Sequence, residues 1–290
     1  MKINENTNIL IVGLGIIGGS YAKGLTKKGL KVHAIDTDRE TIEYALANNI
    51  IYEGSTEADA DLIGAADVVI FALYPHIFKE WIRDNQQYFK SGAILTDVTG
   101  VKGCVVYDIQ NMLRDDCEYI AAHPMARCER LGIKNSNEKI FHAANYIVVH
   151  TEKNTEEAKD VCRQIGKLLR FARISELPPK EHDEMIGFVS QLTHCIAMSL
   201  MTCNHTEKLE DFTGDSFRDL TRIARIDETM WSELFLLNKD ALLHQMKLFT
   251  MEFSKLERML MEADKEGIKD MMRRSTARRK LFDKEKPEEE

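Results

Sequence analysis

The sequence predicts an α/β protein with a doubly wound, mostly parallel sheet in its amino-terminal half, followed by an all-helical carboxy-terminal half. Three observations carry this expectation. Short β-branched apolar runs alternate with amphipathic stretches to about residue 174, a glycine cluster follows the first run, and strand patterning disappears after His182.

Residues 8–12 (Asn-Ile-Leu-Ile-Val) read as the first strand, running into Gly13-Leu-Gly15-Ile16-Ile17-Gly18 and a helix over 20–28. A second strand over 31–35 ends at Asp36, and an amphipathic helix over 38–48, a third short run and a strand over 67–73 follow. Apolar runs at 93–96, 119–122 and 146–150, with a helix over 156–169, continue the alternation. That rhythm is the pattern of a parallel sheet covered on both faces. The segment 175–180 (Ser-Glu-Leu-Pro-Pro-Lys) holds two of the five prolines and marks a break. Beyond it, helical apolar spacing runs over 185–201, 215–224, 230–260 and 265–272. The closing DKEKPEEE is charged and has little to bury, so it reads as a solvated tail. The predicted division is a dinucleotide-binding domain over 1–174, a helical domain over 175–280 and a tail over 281–290.

A chain of 290 residues with 44% apolar and 30% charged residues has ample interior for a core and excludes fibrous or wholly disordered classes. Its net charge of −8 offers no general attraction to nucleic acid or anionic lipid. No uninterrupted apolar run reaches the roughly 20 residues of a membrane span, and the start lacks a signal-peptide pattern, so a cytoplasmic location is expected. The six cysteines form no CxxC pair, which argues for reduced thiols and against a structural metal.

The glycine turn sits between a strand and a helix, the setting in which such a turn binds a dinucleotide, as in a Rossmann-type fold. Gly13 permits the tight turn, Gly15 lets main-chain N–H groups approach a pyrophosphate, and Gly18 allows close helix–strand contact. Asp36 stands 18 residues beyond Gly18, where a carboxylate accepts both adenosine ribose hydroxyls and repels a 2′-phosphate. The cofactor is therefore expected to be NAD, held by Gly13, Gly15, Ile16, Ile17, Gly18 and Asp36, with Thr99 on the cofactor side. Arg39 close by keeps NADP open, and a glycine turn serving packing alone is the bland alternative.

Polar groups gather in three further places. Asp97-Val-Thr99-Gly100-Val-Lys102 follows a strand, and His123 ends another strand just before Pro124. Strand carboxyl ends face the ligand crevice of a doubly wound sheet, so His123 is a candidate acid–base group, although a lone histidine is more often structural. In the helical half, His182-Asp183 follows the prolines, Ser190 and His194 share a helix face, and Arg222 offers a fork for a carboxylate. A solvated face or an internal salt bridge accounts equally well for His194 or Arg222 taken alone.

Taken together, VGLGIIGGS, TDVTGVKG at 96–103, HPMA at 123–126 with Glu129, the pair 182–183, SQLTH at 190–194 and FRDLTRIARIDETMW at 217–231 resemble the prephenate/arogenate dehydrogenase family of tyrosine biosynthesis. The resemblance spans about residues 8–280. It implies NAD-dependent oxidative decarboxylation of prephenate to 4-hydroxyphenylpyruvate. It also implies that His123 is the catalytic base, with the ~6.5 pKa of a free imidazole as a starting value. Arg222 would bind a substrate carboxylate, His194 would act on the substrate side, Glu129 would stand at the pocket mouth, and Ser190 and Gly100 would lie beside the substrate. Many members carry a serine where this chain has Gly100, so either the Thr99 hydroxyl or an ordered water is expected to replace it. The helical half is expected to form a homodimer, as its long apolar faces exceed what about 115 residues can bury alone. Two rivals remain. A β-hydroxyacid dehydrogenase would need a lysine that residues 181–207 lack, and a non-catalytic NAD sensor would need neither His123 nor Arg222.

Overall fold

Strand β1 (Asn8–Val12) forms the centre of a six-stranded parallel sheet because its side chains are apolar on both faces. Ile9 and Ile11 enter one buried layer, Leu10 and Val12 the other. The computed structural model describes residues 1–126 and 132–282. Helix α1 (Ile16–Thr26), β2 (Lys31–Ile35), α2 (Arg39–Ala47), β3 (Glu53–Ser55), α3 (Ala60–Ala65), β4 (Val68–Phe71), α4 (Pro75–Asn85) and β5 (Ile94–Asp97) follow in sequence. Then come α5 (Val106–Met112) and β6 (Glu118–Tyr119), giving the strand order β3-β2-β1-β4-β5-β6. The order reverses beside β1, so the crevice above the carboxyl ends of β1 and β4 is the ligand-binding edge of the fold.

The run expected at 119–122 is two strands. After β6 the chain breaks at Ile120 and starts a second sheet, in which β7 (Ala121–Pro124) pairs antiparallel with β8 (Asn145–Val149). Helix α6 (Glu156–Leu168) leads to β9 (Arg173–Leu177), which pairs parallel with β8. This last strand enters the segment assigned to a break. The two prolines stop the sheet only after Leu177, because Pro178 and Pro179 instead start the next helix, α7 (Pro179–Ile186).

A π-type turn over Gly187–Leu192 joins α7 to α8 (Thr193–Thr202), making one helical stretch of 24 residues. Among the described residues it is long and apolar enough on average to cross a membrane, a feature absent from the sequence expectation. It also carries His182, Asp183, Gln191 and His194, all buried against protein. Helix α9 (Asp215–Thr221) ends in a 3₁₀ turn over Arg222–Ala224 that packs on α8. The helix expected over 230–260 is two, α10 (Glu228–Leu237) and α11 (Lys239–Met261). They part at Asn238, whose buried side chain bonds elsewhere. Compact units are Met1–Lys239 and a second that starts at Asp240. The second holds α11 and α12 (Lys265–Arg279), with Asp264 capping α12 through the Gly267 N–H.

Candidate active site

The glycine turn is built for close approach. Gly13 takes φ +94°, and a Cβ there would stand 2.6 Å from the Ala72 carbonyl oxygen beyond β4. A Cβ on Gly18 would lie 1.9 Å from the Gly13 carbonyl oxygen, so α1 can rest on the turn only through glycine. Nothing lies within 4 Å of the Cβ position of Gly15, which leaves the main chain bare on its open side. Ile16 and Ile17 begin α1, whose first turn has neither a side-chain cap nor an acidic residue. Uncapped N–H groups at a helix start suit a pyrophosphate. Asp36 is tied to this turn: its Oδ2 accepts the Leu14 N–H at 2.6 Å and its Oδ1 the Asp38 N–H at 2.9 Å. The residues present thus fit a dinucleotide.

At the end of β5 lies a buried ion pair. Lys102 Nζ donates to Asp97 Oδ2 at 2.7 Å, to Thr99 Oγ1 at 3.1 Å and to the Ala122 carbonyl at 2.6 Å. Three donors meet three acceptors, which is what offsets a desolvation penalty of several kcal/mol per buried ion. Burial pushes the Lys102 pKa down while Asp97 opposes the shift. Asp97 also accepts from the Tyr119 hydroxyl at 2.8 Å and the Thr99 N–H at 2.9 Å. The Thr99 hydroxyl, which accepts from Lys102, gives its single proton to Asp97, with the Val101 carbonyl 3.1 Å away inside this cluster. These partners take the Thr99 hydroxyl out of play as a stand-in for a serine at Gly100. Its hydroxyl is committed to a buried charge.

The main-chain N–H groups of Lys102 and Gly103 donate to the two oxygens of Asp183 at 2.8 and 2.7 Å, joining the helical half to the loop after β5. His182 Nδ1 lies 2.8 Å from Asp183 Oδ1, and His182 Nε2 lies 2.9 Å from His123 Nδ1. Burial lowers the pKa of both histidines, for His123 well below the ordinary value, with His182 and Lys102 adding to the effect. Both rings are therefore neutral near pH 7, and the protons can be placed. The Asp183 carboxylate only accepts, so His182 carries its proton on Nδ1 and presents a bare Nε2. His123 then donates from Nδ1, leaving its own Nε2 as a free lone pair. That atom lies 4.0 Å from the Cβ position of Gly100.

His194 is buried, donates from Nδ1 to the Ser190 carbonyl at 2.8 Å, and lies against the Trp231 indole with ring centres 3.8 Å apart. Ser190 thus contributes its carbonyl, which also accepts from Thr193. Arg222 is exposed at the head of the turn packed on α8. Glu129 lies outside the described residues. Sequence reasoning singled out His182 and Asp183 without giving them a role, and it missed the Lys102–Asp97 pair. Two charges beside an apolar strand end are a signal of burial that could have found the pair.

Two family models match the chain: "Prephenate dehydrogenase, nucleotide-binding domain" over residues 21–170 and "Prephenate dehydrogenase, dimerization domain" over 178–274. A prephenate dehydrogenase of Bacillus subtilis is 29% identical over 269 residues, covering 90% of this chain and 72% of the relative. A cyclohexadienyl dehydrogenase of Zymomonas mobilis is 26% identical over 270 residues, 89% of either chain. The crystal structure of prephenate dehydrogenase from A. aeolicus in complex with hydroxyphenyl propionate and NAD+ matches with a TM-score of 0.87 at 28% identity, covering 96% of this chain and 98% of that one.

Proposed function

The chain belongs to the prephenate dehydrogenase family, and we propose that it catalyses the NAD-dependent oxidative decarboxylation of prephenate to 4-hydroxyphenylpyruvate. One observation carries the reading: the Asp183–His182–His123 relay leaves a neutral imidazole with a bare Nε2 above Gly100. Such an atom accepts a proton from a ring hydroxyl, and burial keeps it unprotonated.

NAD+ supplies the hydride acceptor. His123 Nε2 withdraws the hydroxyl proton as hydride leaves the same ring carbon, and returns it to the phenolate oxygen once carbon dioxide has departed. The relay fixes the tautomer that makes this possible and absorbs no charge in the resting state. Asp36 and the turn Gly13–Gly18 hold the dinucleotide. Arg222 pairs with a substrate carboxylate and His194 lies on the substrate side, which is supported by their common placement on α8 and the turn packed against it. Ser190 and Gly100 beside the substrate complete the proposed set, with Glu129 included on the family resemblance alone.

The helical half is proposed to form a homodimer. Support comes from Leu243, Met246, Phe249, Phe253 and Leu260, all exposed on α11, and from the family description of residues 178–274.

The test is direct: purified protein, prephenate and NAD+, with NADH absorbance followed and 4-hydroxyphenylpyruvate identified as product. Arogenate assayed in parallel decides substrate preference. Absence of turnover with either compound overturns the reading.

A further inference from the structure

We propose that Leu234 is a positioning residue for this reaction: its isobutyl group walls one side of the space over Gly100 and narrows the access of water to the bare Nε2 of His123, which is itself half-buried. The role in the reaction rests on the function proposed above; the wall itself rests on geometry. Around the Cβ position of Gly100 the three nearest atoms are Leu234 Cδ2 at 3.7 Å, Leu234 Cδ1 at 3.8 Å and His123 Nε2 at 4.0 Å. A side chain from α10 therefore borders the volume that a side chain on residue 100 would enter, and the catalytic lone pair borders it too. The Thr99 hydroxyl, turned into the Asp97 cluster, does not reach it.

The helix that carries Leu234 is held on two sides. The Leu234 carbonyl accepts from Gln191 Nε2 at 2.9 Å, and Gln191 Oε1 accepts from Asn238 Nδ2 at 2.7 Å. Asn238 Nδ2 donates also to the Asp183 carbonyl at 2.9 Å, so the clamp on α10 ends on the residue that starts the histidine relay. Gln191 and Asn238 are both buried. On the other side Glu233, next to Leu234, meets His76 Nδ1 of α4 at 2.9 Å. Leu234 is thus fixed between the dinucleotide-binding half and α7.

An apolar wall favours neutral imidazole, because a cation there lacks water, and it spares the substrate hydroxyl from competing with water for the lone pair. Among the described residues, the titratable groups facing His123 are His182 on α7 and Lys102 after β5, with Asp183 and Asp97 behind them. Glu233 on α10 is engaged with His76, and His194 on α8 with Ser190 and Trp231.

The experiment compares wild type, Leu234→Ala and Leu234→Met. The titration of His123 is followed by NMR of the protein without substrate, and the pH profile of kcat/KM is measured with prephenate. Leu234→Ala admits more water, so the His123 midpoint rises, on the order of half to one pH unit. The acid limb of kcat/KM moves with it, and kcat/KM at pH 7 falls on the order of 10-fold. Leu234→Met, close in volume, keeps the wild-type midpoint and limb. An unchanged midpoint in Leu234→Ala overturns the wall, as does an equal shift in Leu234→Met, which would mark a general packing disturbance. A shifted midpoint with an unmoved acid limb overturns the role in the reaction. Failure of wild type to turn over prephenate overturns the proposed function, and the substrate-free titration still decides the wall.

Discussion

Replacing Asp183 by Asn tests the relay at its origin. The carboxylate takes three N–H groups: Lys102 N and His182 Nδ1 on one oxygen at 2.8 Å each, and Gly103 N on the other at 2.7 Å. An amide offers one oxygen and one NH2. With the oxygen toward Lys102 and His182, the relay survives but the Gly103 N–H faces an N–H. With the oxygen toward Gly103, the Lys102 N–H is orphaned and His182 must accept at Nδ1 and donate from Nε2. His123 then carries its proton on Nε2, where a base needs a lone pair. The first state leaves the part-buried Gly103 N–H without its partner and the second the buried Lys102 N–H, the latter costing about 1–3 kcal/mol, and the remaining bonds lose charge assistance, so a stability loss of up to about 2–4 kcal/mol is expected. The second state also removes the base, a loss of roughly 10²–10⁴-fold in kcat. Gly103 leaves no slack, since a Cβ there would stand 2.9 Å from Asp183 Oδ2. The assays are calorimetric Tm and kcat at saturating prephenate and NAD+. A kcat within threefold of wild type rules out the second state, in which the amide oxygen faces Gly103, and an unchanged Tm refutes the bond accounting.

His123→Asn lowers kcat, on the order of 10²–10⁴-fold, with NAD+ affinity near wild type, whereas Arg222→Ala raises the prephenate KM; wild-type turnover in the first variant removes His123 from the mechanism. Because burial holds the His123 and His182 pKa values below the free imidazole value of ~6.5, the acid limb of kcat/KM falls well under that pH, and a limb at or above it contradicts the structure. For stability the sign follows from the same depression: the unfolded chain takes up these protons first, so the contribution is full above about pH 6.5 and is lost as pH falls from there through the folded-state values. Asp36, held by the Leu14 N–H beside the glycine turn, makes kcat/KM with NAD exceed that with NADP, and the reverse order would show that Arg39 overrides it. Light scattering at micromolar concentration reads a dimer, and a monomer would remove the interface proposed for the helical half.

What the sequence determined by itself is local. Alternating apolar runs specify strands with two buried faces, as Ile9 and Leu10 show by entering opposite layers. The spacing of Gly13, Gly15 and Gly18 specifies the turn, and Asp36 lies at the predicted strand end, since backbone geometry and side-chain period act over a few residues. His123 was legible as a polar residue closing an apolar run, but the proline does not stop that strand: β7 continues through Pro124 and belongs to the second sheet, where it pairs with β8, not to the parallel one. Errors arose where tertiary context overrode a local signal. Strand β9 persists to Leu177 beside the prolines because β8 offers it a full ladder, and Asn238 ends α10 because its amide has buried partners on α7 and the π-type turn. The chemistry of the site was decided only in three dimensions. His123 meets His182 across 59 positions, and Lys102 meets Asp183 across 81. The state of each group depends on which neighbours exclude water from it and which accept its proton. Such neighbours are set by packing between elements distant in the chain, and no periodicity of the sequence records them.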